Sequence, residues 1–193
     1  MAAGYGKRTR PSTLVGQWLG SGLVLDVGSF ESIATSSNTY GAVFTNIPSS
    51  YKHLQLRVFG RDSSASANQE IAIRFNGDST SNYMNHWING NGTSATSSAS
   101  TRSYIHCAVA TSAFHSASIE SCAIIDILDW QSTSKVKVVR SIGGYDANGS
   151  GQIELASAMW IGSASTAITQ IEVFFSSGVA VTNNHFALYG IKG

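Results

Sequence analysis

Charged side chains are scarce in this sequence: Asp, Glu, Lys and Arg make up 12% of its 193 residues, about half the share of an average globular chain. Polarity comes instead from 31 Ser, 14 Thr and 19 Gly. A surface of hydroxyls and amides repels its own copies weakly. That suits a protein packed against itself or within a larger assembly, and suits a free, highly soluble enzyme poorly. Helix signals are close to absent, because charged and apolar residues nowhere recur at helical spacing and Leu, Glu and Lys are few. Proline occurs only at Pro11 and Pro48. The two cysteines, Cys107 and Cys122, say little about redox compartment. Both lie in apolar stretches and read as reduced core thiols, with a bridge between neighbouring strands left open.

Long hydrophobic runs are missing as well. The stretch from Leu14 to Val27 is broken by Gly16, Gln17, Gly20, Ser21, Gly22 and Asp26, so no membrane span is expected. The basic residues near the start are followed by Pro11 and a Gly-rich stretch rather than an apolar run, so no signal peptide is expected. No G-x-S-x-G turn, phosphate-cradling loop or cysteine–histidine nucleophile signature appears, and no catalytic residue is assigned.

What the sequence does carry is period-two alternation in short segments. In HLQLRVFGR, Leu54, Leu56 and Val58 alternate with Gln55, Arg57 and Phe59, and QEIAIRF repeats the pattern with Ile71, Ile73 and Phe75. The second segment ends at Asn76-Gly77-Asp78, a strong turn signal. Further strands are expected from Phe30, Tyr40, Ser103, Ile119, Lys135, Gln152, Ile168 and His185. About ten strands with polar turns, and no crossover helices, predict an all-β fold: a two-sheet antiparallel β-sandwich or jelly roll. Residues 89–103, 109–118 and 145–151 read as loops.

The first 29 residues stand apart as an extended arm preceding a domain over 30–193. Its first ten residues hold Lys7, Arg8 and Arg10 and no acid, while the other 183 hold nine basic and eleven acidic side chains. Trp18 sits among Leu14, Val15 and Leu19, with glycines that prevent a regular helix. Lys7, Arg8, Arg10 and Trp18 are therefore the candidate partner contacts of an attachment arm. A nucleic-acid partner is not the expectation for a near-neutral body.

Other chemical candidates have simpler readings. Asp146-Ala147-Asn148-Gly149-Ser150-Gly151 resembles half of a calcium loop, but the bidentate carboxylate expected six residues on is missing and only Glu154 lies nearby. His53, His86, His106, His115 and His185 show no metal-ligand spacing and read as half-buried strand or loop residues, so neither metal nor cofactor is expected. Asp126 and Asp129, three apart on one strand, would face opposite sides and share no substrate. Tyr83, Trp87, Trp130 and Trp160 could stack on a sugar ring, although their flanks read as strand ends or core.

The segments FTNIPSSYKHLQLRV, IRFNGDSTSNYMNHWINGNGTSA, IIDILDW, SIGGYDANGSG, ASAMWIGSASTAITQIEVF and FALYGIKG, in that order, resemble a family of small all-β virion structural proteins of tailed bacteriophages, many marine or cyanobacterial. The resemblance covers residue 30 onward. It implies a non-enzymatic virion component, either a capsid decoration (cement) protein or a small tail or baseplate appendage subunit, partnered by other virion proteins. It implies no ligand and no catalytic residue. A homo-oligomer is expected on grounds of symmetry, with a trimer favoured by analogy with virus jelly rolls. The alternative is a jelly-roll glycan-binding module for host adsorption.

Overall fold

A computed structural model describes residues 30–36, 41–67, 69–163, 165–176 and 184–193, with backbone only for 30–36 and Ser163. The arm, with Lys7, Arg8, Arg10 and Trp18, lies outside the described residues. Twelve strands occur among the described residues: β1 (Phe30–Ser36), β2 (Ala42–Thr45), β3 (His53–Gly60), β4 (Gln69–Phe75), β5 (Tyr83–Gly90), β6 (Ala95–Arg102), β7 (Ile105–Ala110), β8 (Ser121–Leu128), β9 (Lys137–Asp146), β10 (Gly151–Trp160), β11 (Gln170–Phe175) and β12 (His185–Ile191). One 3-10 turn, Ile161–Ser163, follows β10. No helix among the described residues is long and apolar enough to cross a membrane.

The strands form a larger sheet, β1-β12-β3-β8-β9-β10-β5-β6, and a smaller one, β2-β11-β4-β7. Every pairing is antiparallel. Setting aside two inserted pairs, β5–β6 and β9–β10, the chain crosses between the sheets at every step except β4 to β7, which pair within the smaller sheet. The remaining eight strands are ordered β1-β12-β3-β8 over β2-β11-β4-β7, which is jelly-roll connectivity. The two insertions pair with each other through β10 and β5. They thereby double the width of one sheet.

Period two decides which side chains enter the core. Leu54, Leu56 and Val58 of β3, Ile71, Ile73 and Phe75 of β4, and Ile125 and Ile127 of β8 are buried. They meet Ile171, Val173 and Phe175 of β11 and Phe186 and Leu188 of β12 in one cluster. Each such side chain stabilises the fold by about 1.5–3 kcal/mol. The sheets approach closely where β7 crosses β9. A Cβ on Gly143 would lie 2.6 Å from Ala108 Cβ and 2.9 Å from Ala123 Cβ, so a side chain there has no room. Ser141 Oγ donates to the Cys107 carbonyl at 2.6 Å across the same contact.

Three expectations need correction. Residues 89–103 are no loop: β6 spans Ala95–Arg102 and pairs residue for residue with β5. Neither strand was foreseen, because β6 (ATSSASTR) has no apolar period. Its order comes from backbone ladder bonds and from Arg102. The long strand from Ile119 also ends sooner than its composition suggests. Asp129 takes a positive φ of 45° and turns the chain after Leu128. Of the two cysteines, Cys107 is buried as expected but Cys122 is exposed, and both thiols are free.

Candidate interaction face

The outward face of the larger sheet is built from the alternate residues that the core does not use. The ladder registers place Arg57 of β3, Ile124 of β8, Ile142 of β9, Leu155 of β10 and Ile88 of β5 in one row across five strands. Four members are aliphatic and lie open to solvent, at 40% (Ile124), 47% (Ile142), 56% (Leu155) and 56% (Ile88) relative exposure. A parallel row holds Phe59, Cys122, Gly144 and Ile153, and Phe59 and Ile153 are again exposed. Leu128, Val138, Met159 and Met84 line a third row. Exposed apolar patches of this kind are rare on monomeric soluble proteins.

One polar row crosses it: Gln55, Asp126, Arg140, Ser157 and His86. Gln55 Nε2 donates to Asp126 Oδ1 at 2.9 Å, and Arg57 Nε donates to Gln55 Oε1 at 3.1 Å. Asp126 and Arg140 sit opposite each other on β8 and β9, yet among the described residues no ion pair joins Arg140 to a carboxylate. Two depressions lie along the face. One, of about 540 Å³, is bounded by His86, Ile88, Arg140 and Leu155. The other, about 400 Å³, opens over Gly144 between Ile124, Ile142 and Ile153.

Beneath the inserted strands lies an ionic cluster that the sequence reading missed. His106 of β7 is buried, not half-buried as expected. Its Nε2 contacts Glu154 of β10, and its Nδ1 lies 3.3 Å from Glu70 of β4. Arg102 of β6 donates to both Glu70 oxygens at 2.7 and 2.8 Å and lies over the Trp87 ring at 5.0 Å. The Tyr104 hydroxyl donates to Glu70 at 2.9 Å. Burial works against charge on His106, but Glu154 and Glu70 overcome it and raise its pKa to about 9. Burial likewise pushes the Glu70 carboxyl up, and the bonds and charges of His106 and Arg102 outweigh it, holding the group at about 2. Two carboxylates thus meet two cations in a neutral group. Because His106 and Glu154 are both buried, their reacting atoms are shielded, and the group acts as a strut between the sheets. The only sequence signal for it was that charges are so few in this chain that each inward one calls for a partner.

The remaining candidates are placed as follows. Glu154 serves His106 and does not close the Asp146 loop. Asp146 Oδ1 accepts the Asn148 amide at 2.9 Å within a tight turn closed by Ala147 N–H on the Ser150 carbonyl. Asp126 lies on the outward face, whereas Asp129, beyond the strand, pairs with Lys135 at 3.1 Å, so the two share no site. Tyr83, Trp130 and Trp160 are core side chains. Trp130 Nε1 donates to the Tyr51 carbonyl at 2.9 Å and Trp160 Nε1 to Asp78 Oδ2 at 2.7 Å. Trp87 packs at 4.8 Å on His106. His115 stacks edge-on against Tyr145 at 4.9 Å, while His86 and His185 are exposed strand residues.

Comparison with protein-family models, with curated proteins and with solved structures finds no match to this chain.

Proposed function

We propose that this chain is a non-enzymatic structural protein of a tailed-bacteriophage particle, a capsid decoration protein or a small tail or baseplate appendage subunit. The observation that carries the reading is the aliphatic outward face of the eight-stranded sheet on a chain with so few charges. A free enzyme does not leave Ile88, Ile124, Ile142 and Leu155 in a row facing water, whereas a protein that spends its life in contact with neighbours does. The resemblance of its segments to those of virion proteins supports the same reading, as does the jelly-roll connectivity common among capsid and lectin domains. In this reading residues 1–29 form the attachment arm. Lys7, Arg8, Arg10 and Trp18 are its contacts with another virion chain, and the body associates with its own kind.

The test is location. Purified particles are analysed by mass spectrometry and labelled with an antibody against the domain. The chain is expected in the particle at fixed stoichiometry, and particles lacking it entirely would end the proposal. Deleting residues 1–20 is expected to leave a folded domain that no longer joins the particle.

One observation favours a second reading, a glycan-binding module. A depression of about 340 Å³ lies between the 91–94 and 147–150 turns and is lined by Asn91, Tyr145, Asp146 and Gln152. An aromatic ring among amides and a carboxylate is the chemistry that holds a sugar. A glycan array with the purified protein separates the two readings.

A further inference from the structure

The strand order and the ladder registers together point to a specific occupant of the outward face. We propose that it is a second copy of this chain, packed face to face about a two-fold axis that runs parallel to the strands, midway between β8 and β9. This inference stands independently of the particle reading.

The argument begins with the strand order. In β1-β12-β3-β8-β9-β10-β5-β6, the boundary between β8 and β9 is the midline of the sheet, with four strands on either side. A two-fold axis along that line lays β8 of one copy over β9 of the other, β3 over β10, β12 over β5 and β1 over β6. The whole face is covered with no overhang. Eight strands about 4.8 Å apart and roughly seven residues long at about 3.3 Å give a face of roughly 34 by 23 Å. That is on the order of 800 Å², the area a standard stable interface buries on each partner.

The side chains agree with this axis. Because residues in one row stand at the same height along the strands, the two-fold sets each residue opposite its mirror position across the midline. Ile124 then meets Ile142 of the other copy, and Phe59 meets Ile153. The small positions coincide too, Cys122 opposite Gly144, so the closest approach is where side chains are slightest. Most telling is the polar row. Asp126 and Arg140 flank the midline at one height, and the two-fold sets each against the opposite charge of the other copy, twice per dimer. Any foreign partner would have to supply this alternation; a second copy has it by symmetry. Among the described residues, the strands of this face carry two outward cations, Arg57 and Arg140, against Asp126 and Asp146. Copies therefore meet without net repulsion. Two packed sheets of this kind lie about 10 Å apart with strands aligned to within about 30°.

Charge reversal tests the axis directly. The full chain is measured by sedimentation equilibrium as wild type, Asp126→Arg, Arg140→Asp and the equimolar mixture of the two variants. The wild type is expected at the mass of two copies. Each variant faces like charge with like across the axis and is expected to bind itself about a hundredfold more weakly. The mixture restores both opposite pairs and is expected to regain the two-copy mass. A wild type that is monomeric at about 100 µM, concentrated enough to populate any stable dimer, overturns the proposal. So does a three-copy mass, or a mixture that stays dissociated. Should either reversal fail to fold by circular dichroism, Ile142→Ser carries the test, and a wild-type-like dimer of that variant overturns the proposal equally.

Discussion

The two faces of β8 and β9 carry similar residues and meet opposite surroundings. Ile125, Ile127 and Val139 point inward and are buried, whereas Ile124, Leu128 and Ile142, on the same two strands, point outward and are exposed. The inward set needs no explanation beyond the core. The outward set cannot be explained by the core at all, since a solvated sheet face normally alternates to polar residues. Identical side chains on the two faces therefore separate two demands on the sequence, folding on one side and contact with another surface on the other.

The sharpest way to break that comparison is to place the same charge on adjacent residues. Ile125→Asp buries an unpaired carboxylate, a loss of several kcal/mol against a total stability of about 5–15 kcal/mol. It is expected to yield no folded protein by circular dichroism. Ile124→Asp, one residue away on the outward face, is expected to shift the melting transition by only about 0.5–1 kcal/mol while abolishing self-association in sedimentation. Equal damage from the two changes would dissolve the distinction between the faces.

The ionic cluster gives the next effect. His106→Ala leaves Glu154 buried without its cation, and about 3 kcal/mol of stability is expected to be lost in urea unfolding. The pH dependence follows from the same group. The His106 pKa is raised from 6.5 to about 9, so its contribution is complete below pH 6.5 and is lost as pH rises through 9. Glu70 is lowered from 4.5 to about 2, so its contribution is complete above pH 4.5 and is lost as pH falls through 2. Wild-type stability is therefore expected to peak between about pH 4.5 and 6.5 and to fall by roughly 2–3 kcal/mol toward pH 9. His106→Gln should flatten the alkaline limb. A wild-type melting temperature constant from pH 6.5 to 9 contradicts the charged strut.

The smallest effect concerns the turn that resembles half of a calcium loop. Asp146→Ala removes one hydrogen bond at an exposed turn, and its expected change is within about 0.5 kcal/mol. Added calcium should leave the melting temperature of wild type and variant alike, measured by differential scanning fluorimetry.

How much of this was legible in the sequence depended on whether a strand had apolar residues to reveal its period. Leu54, Leu56 and Val58 announced β3, and Ile71, Ile73 and Phe75 announced β4. The Asn76-Gly77 turn is present with Asp78 N–H on the Phe75 carbonyl at 2.9 Å. β6 was invisible because its eight residues are exposed or nearly so, and its pairing comes from the backbone of β5, which no side-chain pattern encodes. That omission hid the cluster as well. With Ala95–Arg102 taken as loop, Arg102 had no reason to lie near Glu70, 32 positions away, and His106 had no visible counter-charges. Phe59, Ile124 and Ile142 were seen as strand residues. Their openness depended on which face of the larger sheet has no second sheet over it, a property of topology that composition cannot supply.

The two thiols allow the central claim to be measured within one molecule. Cys122 stands on the outward face beside the midline, and Cys107 is buried between the sheets. Alkylation by a neutral reagent is followed in concentrated wild type and in folded Asp126→Arg, with Cys107 as the internal reference for the core. The account predicts that Cys122 reacts at least about tenfold more slowly in the associated wild type than in the dissociated variant, while Cys107 stays unreactive in both. A Cys122 that reacts at the same rate in the two proteins would show that the outward face stays open to water, and would contradict the claim that it is built for contact.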